Sequence, residues 1–417
     1  MSATVSSTSL RYRFAGMIGN ILEHYDTALF ALLAPFLAPL FFDTSDPLTA
    51  LILTYSMLPL GILMRPLGSL FFGWIGDRVG RVRSLFYSLM GMSIVTVSMG
   101  FLPTYLEVGA YAPLLLAAGR VLQSFFTSGE SVGGAIFVLE NTSLNKRNLL
   151  SSIYDASSVV GILSASALVT FFCWMGNIEK AWRFLFWFGG LTAILGVFLR
   201  LKARDGSEFL KAVKIRKIGL LQVLREHKGA LFSIIIVSGF SYTTYCLAFT
   251  LMNGYIPVVT LLSSTEVMQV NTILLLVDMI LLPCFGYLAI KIGKEKVMSS
   301  AAFCAVVCAV PLFYLLERGT LERVIVVRFT ITMLGIAFAS TYHAWALERV
   351  CPEHRFTILS LGAAIGSQVI GAPTAAICLW LYQKTGWVPV PALYFMVTAA
   401  MAGCVIVYSK KRQELRA

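Results

Sequence analysis

Apolar runs of about 20 residues recur along the whole chain, each long enough as a helix to cross a hydrocarbon core about 30 Å thick. In hydrocarbon the backbone N–H and C=O groups must be satisfied within the segment itself, so each run is committed to helix. Charged or Pro/Gly-rich breaks separate twelve predicted helices, near 14–41, 48–74, 84–103, 111–140, 149–174, 182–201, 229–254, 265–290, 297–316, 321–348, 357–382 and 388–409. The reading is an all-α membrane protein with twelve transmembrane helices. Only 13% of residues are charged, against roughly 25% in a soluble domain. The first run holds Glu23, His24 and Asp26 and lacks an A-x-A-type cleavage site, so it reads as a retained first helix.

The net charge of +12 would suit nucleic acid if it were clustered on one face. Instead Arg and Lys crowd into alternate loops: Arg11 and Arg13; Arg78, Arg81 and Arg83; Lys146 and Arg147; Lys291, Lys294 and Lys296; Arg349 and Arg355. The longest connection, 203–228, carries Arg204, Lys211, Lys214, Arg216, Lys217, Arg225 and Lys228, and Lys410 to Arg412 follow the last helix. This alternation is the positive-inside pattern, and it puts both termini in the cytoplasm. The partner is the lipid bilayer and not nucleic acid. Cys304 and Cys308 lie one helical turn apart, but no second pair completes a metal-ligand set, so no metal or cofactor is expected.

The 203–228 connection divides the helices six and six, into an N-terminal bundle (1–202), a cytoplasmic basic linker and a C-terminal bundle (229–417). Within the linker Phe209, Leu210, Val213, Ile218, Leu221 and Leu224 fall at roughly amphipathic spacing, as in a helix lying on the membrane face. The halves repeat each other. At an offset of 213, Gly73, Arg78, Gly80, Arg81 and Arg83 meet Gly286, Lys291, Gly293, Lys294 and Lys296. At an offset of 208, Arg120, Glu140 and Arg147 meet Arg328, Glu348 and Arg355. Duplicated six-helix halves are a transporter architecture, with substrate bound where the halves meet.

GWIGDRVGRVR at Gly73–Arg83 and RVLQ at Arg120–Gln123 resemble signature motifs of the major facilitator superfamily. GNILEHYD at Gly19–Asp26, RPLGSLFFG at Arg65–Gly73, LPTYLEVGAYAPLLL at Leu102–Leu116, SGESVGGAIFVLE at Ser128–Glu140 and DGSEF at Asp205–Phe209 are similar to its metabolite–proton symporter family. SSIYDASSVVG at Ser151–Gly161 is similar to the acidic helix-5 stretch of the proline/betaine branch. The resemblance is dense over 14–230 and thinner afterwards. It departs at His24, Thr27 and Ser131, where the family carries Trp, Phe and an aromatic residue, and the chain stops soon after Lys411, short of the coiled coil of some osmosensing members. The resemblance implies the major facilitator fold, an inner-membrane location and proton-driven import of a small organic solute. That solute is a zwitterion such as proline or betaine, or alternatively an organic acid such as alpha-ketoglutarate or citrate. The protein is expected to work as a monomer and not as an enzyme. A non-transporting membrane sensor is the remaining reading.

Charges inside the spans mark the site, because a charge in hydrocarbon costs from about 3 kcal/mol upward and turns to a cavity or a partner. Helix 1 carries Asn20, Glu23 and Thr27 on one face with Asp26 beside them. Glu23, Asp26 and, on helix 4, Glu130 are the expected proton-coupling acids, since a carboxyl in a partly dry site can take up and release protons. Arg120, Gln123, Thr127 and Glu130 form a polar stripe; Arg120 suits a substrate carboxylate. Asn20, Gln123, Asp155 and Arg328 are further expected substrate contacts, and Asp278 is another buried charge. Tyr242, Tyr245 and Phe249 share a face suited to a quaternary ammonium group. Asp77, Arg78, Arg81, Glu140 and Arg147 are read as gate latches at the cytoplasmic mouth. Trp174, Trp182, Trp187, Trp380 and Trp387 are expected as interface anchors.

Overall fold

The structure, a computed structural model, describes residues 2–43, 46–79, 81–128, 135, 139, 146–201, 220–317, 319–350 and 355–414. In chain order the helical spans are α1 (Ser2–Phe41), α2 (Pro47–Tyr55, Leu58–Ile62 and Met64–Val79), α3 (Arg81–Met99), α4 (Tyr111–Thr127), α5 (Arg147–Trp174) and α6 (Ile178–Leu201). The second set is α7 (Lys228–Val259), α8 (Ser264–Ile292), α9 (Lys294–Tyr314), α10 (Leu321–Leu347), α11 (Arg355–Gly366, Ser367–Gly371 and Thr374–Thr385) and α12 (Val390–Glu414). A described helix stands at each of the twelve predicted positions, and most of 129–140 of the fourth lies outside the described residues. Nine helices among the described residues are long and apolar enough to cross a membrane.

Local chemistry sets the helix ends and breaks. Asp46 caps α2, accepting from the backbone N–H of Leu48 and Thr49 at 3.1 and 3.2 Å, with Pro47 in the first turn where its missing N–H costs nothing. Ser263 and Glu266 form a reciprocal capping box that starts α8. Pro59, Gly61 and Pro66 weaken α2, and Leu58–Ile62 tightens into a 3₁₀ turn. In α11, Pro373 has no N–H to give the preceding turn, and Ala372 N bonds back five residues to Ser367 O at 2.7 Å. A second wide turn, Cys246–Leu251, interrupts α7.

The two halves pack alike. α1 lies on α5, α3 on α6 and α4; correspondingly α7 lies on α11, α9 on α12 and α10. Gly161 lets α1 and α5 touch backbone to backbone, since a Cβ there would sit 2.0 Å from the Ile21 carbonyl oxygen. Between the halves, α5 packs along α8 and α2 meets α11. Most of the linker, 202–219, lies outside the described residues, while Leu220–Glu226 is helical and leads into α7. Trp174 and Trp380 are exposed as anchors should be, but Trp182 is buried against Phe41 and Phe186, so its role is core packing.

Candidate functional site

A cavity of about 310 Å³ lies between the halves. Helix α1 contributes Glu23, His24 and Thr27; α2 gives Arg65 and Ser69; α4 gives Arg120, Ser124 and Ser128; α5 gives Asp155 and Ser158. From the second half come Tyr242, Tyr245 and Phe249 of α7, Asp278 of α8, His343 of α10 and Gln368 of α11. All three irregular turns, in α2, α7 and α11, contribute lining residues, as irregular backbone in a membrane must lie within protein or beside a cavity.

Hydrogen bonds close the cavity at the end away from the termini. Gln383 Nε2 of α11 donates to Asp46 Oδ2 and Thr49 Oγ1, both at 2.9 Å. Tyr55 Oη donates to the Thr250 carbonyl at 2.9 Å, using an oxygen in the wide turn of α7. Ser166 and Thr170 of α5 each meet Thr272 of α8 at 2.7 Å.

Of the sequence-predicted residues, Glu23, Arg120, Asp155, Tyr242 and Tyr245 meet in this one cavity. Tyr242, Tyr245 and Phe249 form a ladder with ring centroids 6.1 and 5.4 Å apart. Arg120 lies 4.4 Å over the Phe30 ring and donates to Gln123 Oε1. Asp155 Oδ1 is 3.0 Å from His343 Nε2, an ion pair across the halves when the ring is protonated.

Other expected contacts are used elsewhere. Asn20 is turned into α5, donating to Ser157 and Ser158 Oγ at 2.8 Å, where it joins two helices and does not line the cavity. Asp26 is 1% exposed and points toward α3 and α6: Thr96 Oγ1 is 3.4 Å from Oδ2, and a Cβ on Gly189 would be 2.4 Å from Oδ1. Gln123 donates to Thr96 Oγ1 and the Asp26 carbonyl, both at 3.3 Å, so it braces α4 against α3 and α1. On α4 the cavity stripe is Arg120, Ser124 and Ser128, one residue round from the expected Gln123 and Thr127.

Arg328 is the largest departure. It is fully buried and lies outside the cavity lining, donating to the carbonyls of Val267 and Ala248 at 3.0 Å and to Oδ1 of Asn253 and Asn271 at 3.2 and 2.5 Å. Arg120 and Arg328, equivalent in the repeat and both expected at the substrate, do not meet in one site, because Arg328 ties α10 to α7 and α8. Glu130 and Glu140 lie outside the described residues, as do the side chains of Asp77, Arg78 and Arg81. Arg147 opens α5, half-buried. Their repeat equivalents are visible: Lys294 pairs with Glu348, the counterparts of Arg81 and Glu140.

Sequence reasoning missed Arg65 and His343 as site residues. Arg65 carried the same signal as Arg120, a guanidinium inside an apolar run. His343 carried none, since a lone histidine near a helix end has no spacing to betray it.

Two six-helix halves about a cavity that charged side chains enter define a membrane transporter. The sequence profile of the Major Facilitator Superfamily matches residues 16–372, and the chain belongs to that family. It is 29% identical over 404 residues to a putative proline/betaine transporter of Staphylococcus aureus (strain COL), covering 94% of this chain and 86% of that one. It is 26% identical to the proline/betaine transporter of Salmonella typhimurium (93% and 80% covered). It is 27% identical to the ectoine/proline transporter ProP of Corynebacterium glutamicum (94% and 82% covered). Among solved structures, the partially occluded inward-open xylose transporter XylE of E. coli superposes with a TM-score of 0.74 at 15% identity, covering 97% of this chain and 98% of that one.

Proposed function

We propose that the protein is a proton-coupled symporter that imports a small zwitterion, such as proline or betaine, by alternating access of the halves 1–202 and 229–417. One observation carries this reading: a single cavity between the halves presents the carboxyls of Glu23, Asp155 and Asp278, the guanidiniums of Arg65 and Arg120, and the Tyr242–Tyr245–Phe249 ladder. A solute bearing both charges matches such a surface, and aromatic faces attract quaternary ammonium groups. The names of the relatives, all transporters of proline, betaine or ectoine, support the same solute class.

Glu23 is the leading proton carrier, because it is 3% exposed yet lines the cavity, so its charge can be exchanged there for a proton. Glu130 keeps the coupling role read from the sequence; Asp26 acts from behind the cavity wall. Asn20 and Gln123 position the helices that carry Glu23 and Arg120. Asp77, Arg78, Arg81, Glu140 and Arg147 form the cytoplasmic gate, with 203–228 as the linker, and the Lys294–Glu348 pair supports the latch reading by symmetry. The protein works as a monomer in the inner membrane with both termini in the cytoplasm.

A second reading, symport of an organic acid, is favoured by the two guanidiniums of Arg65 and Arg120 in one cavity, which suit a dianion. Uptake of labelled proline, betaine, alpha-ketoglutarate and citrate into proteoliposomes with an imposed pH gradient separates the two. Gradient-dependent accumulation of proline or betaine, abolished by a protonophore, is expected. Accumulation of the acids alone would replace the first reading with the second, and accumulation of none would sink both.

A further inference from the structure

The two cavity guanidiniums are in different situations. Arg120 is 5% exposed, donates to Gln123 Oε1 and lies over Phe30. Among the described residues no hydrogen bond or ion pair reaches Arg65, which is half-buried with its Nε buried and without a partner. It stands just past the 3₁₀ break of α2, which turns it into the cavity beside Ser69 one helical turn on. Small residues hold this wall tight: a Cβ on Gly68 would meet Phe125 O and Ser128 Oγ at 2.2 Å, and one on Gly61 would meet Ser124 Oγ at 2.6 Å. Gln368 of α11 faces the same place with an unpartnered Oε1.

Two of the cavity acids lie on the other flank. Arg65 belongs to the side where α2 meets α11, while Asp155 and Asp278 belong to the side where α5 meets α8. A buried guanidinium N–H without an acceptor is expensive, and a ligand carboxylate that accepts from it recovers that cost on binding. We propose that Arg65 is the carboxylate anchor of the transported solute, and that the solute spans the cavity with its cationic end toward Asp155 and Asp278. Resting on the zwitterion reading above, this assigns the carboxylate to Arg65 and leaves Arg120 to the helix-1 and helix-3 framework. It also gives the axis along which the solute is read: a carboxylate at the α2–α11 flank and an ammonium at the α5–α8 flank.

The test compares proline with prolinamide, which keeps the amine and replaces the carboxylate by a neutral amide. The ratio of prolinamide inhibition constant to proline KM is measured in proteoliposomes for the wild type, Arg65→Gln, Arg65→Lys and Arg120→Gln. A charged bidentate contact predicts a wild-type preference of about 100-fold that falls below about 10-fold in Arg65→Gln. Arg65→Lys recovers part of the preference, and Arg120→Gln keeps it. An unchanged ratio in Arg65→Gln, or its collapse in Arg120→Gln alone, overturns the proposal. Should Arg65→Gln fail to fold, the wild type still decides: phenylglyoxal labelling of Arg65, mapped by mass spectrometry, is expected to fall at least fivefold with saturating proline. Equal labelling with and without proline overturns the assignment. If the wild type transports no zwitterion at all, the functional reading fails first, which is a distinguishable result.

Discussion

His343 Nε2 stands 3.0 Å from Asp155 Oδ1, and the two residues belong to opposite halves of the transporter. Tyr154 packs edge-on against the His343 ring at 5.9 Å, which fixes the ring where it can reach the carboxylate. A contact that spans the halves and lines the cavity is sensitive both to a proton and to a bound cation. Asp155→Asn and His343→Gln are each expected to lower substrate uptake about tenfold. Because the two act as one unit, the double variant is expected to lose little more than the worse single. Additive losses in uptake would mean that the residues act separately.

Arg328 supports a second prediction. Four acceptors converge on its guanidinium, and one of them, Asn271, donates in turn to Ser166 of the other half at 3.0 Å. Arg328→Met leaves those acceptors buried and unmet, at about 1–3 kcal/mol for each one that finds no other donor. The thermal midpoint in detergent is expected to drop by several degrees, with the KM of the surviving protein within about twofold of wild type. A tenfold KM change at unaltered stability would return Arg328 to the substrate site.

These two arginines show how far the sequence could be read. Helix number, order and repeat follow from hydrophobic length and charge spacing, which are local properties of a chain in lipid. Arg120 and Arg328 are equivalent in the repeat, and a charge in a span shows only that it has found a cavity or partners. Which of these applies depends on neighbours distant in sequence, Asn253 and Asn271 for Arg328, that no periodicity connects to it. The same limit turned Asn20 from site to scaffold: its place on the Glu23 face was legible, but Gly161 brings α5 against that turn of α1. His343 became visible only once α10 was set beside α5.

The seal at the end away from the termini carries a pH prediction through Asp46, which lies outside the spans. The Thr49 hydroxyl holds its carboxyl below the usual range against the opposing desolvation, and the backbone N–H groups of Leu48 and Thr49 and the Gln383 amide add to the effect. A folded-state value below the unfolded one, about 3.9, gives stabilisation fully present above about pH 4 and lost as pH falls through the folded value. The seal is therefore expected to hold steady from about pH 5 to 8 and loosen only in stronger acid. Thiol labelling of Thr250→Cys, which lines the cavity next to the Tyr55 contact, reads this directly. Adding Asp46→Asn is expected to remove the acid step. A step near pH 6 would point to a different group.

Lys294 and Glu348 give the last prediction. They join the start of α9 to the end of α10, with side chains 14% and 33% exposed, and they are the repeat counterparts of Arg81 and Glu140. A partly exposed pair of this kind contributes little to overall stability, about 0–1 kcal/mol. Its leverage is on the conformational equilibrium, where about 1.4 kcal/mol is a tenfold population change. Glu348→Lys, which sets two like charges together, is expected to slow transport several-fold while leaving the thermal midpoint nearly unchanged. Lys294→Glu combined with Glu348→Lys restores the pair in reverse and is expected to recover transport to within about threefold of wild type, since the attraction depends on opposite charge and not on which helix carries it. If Arg81 and Glu140 form the matching latch, the reversed pair Arg81→Glu with Glu140→Arg recovers transport in the same way. Rescue in the C-terminal half without rescue in the N-terminal half would show that duplication kept the residues but not the contact.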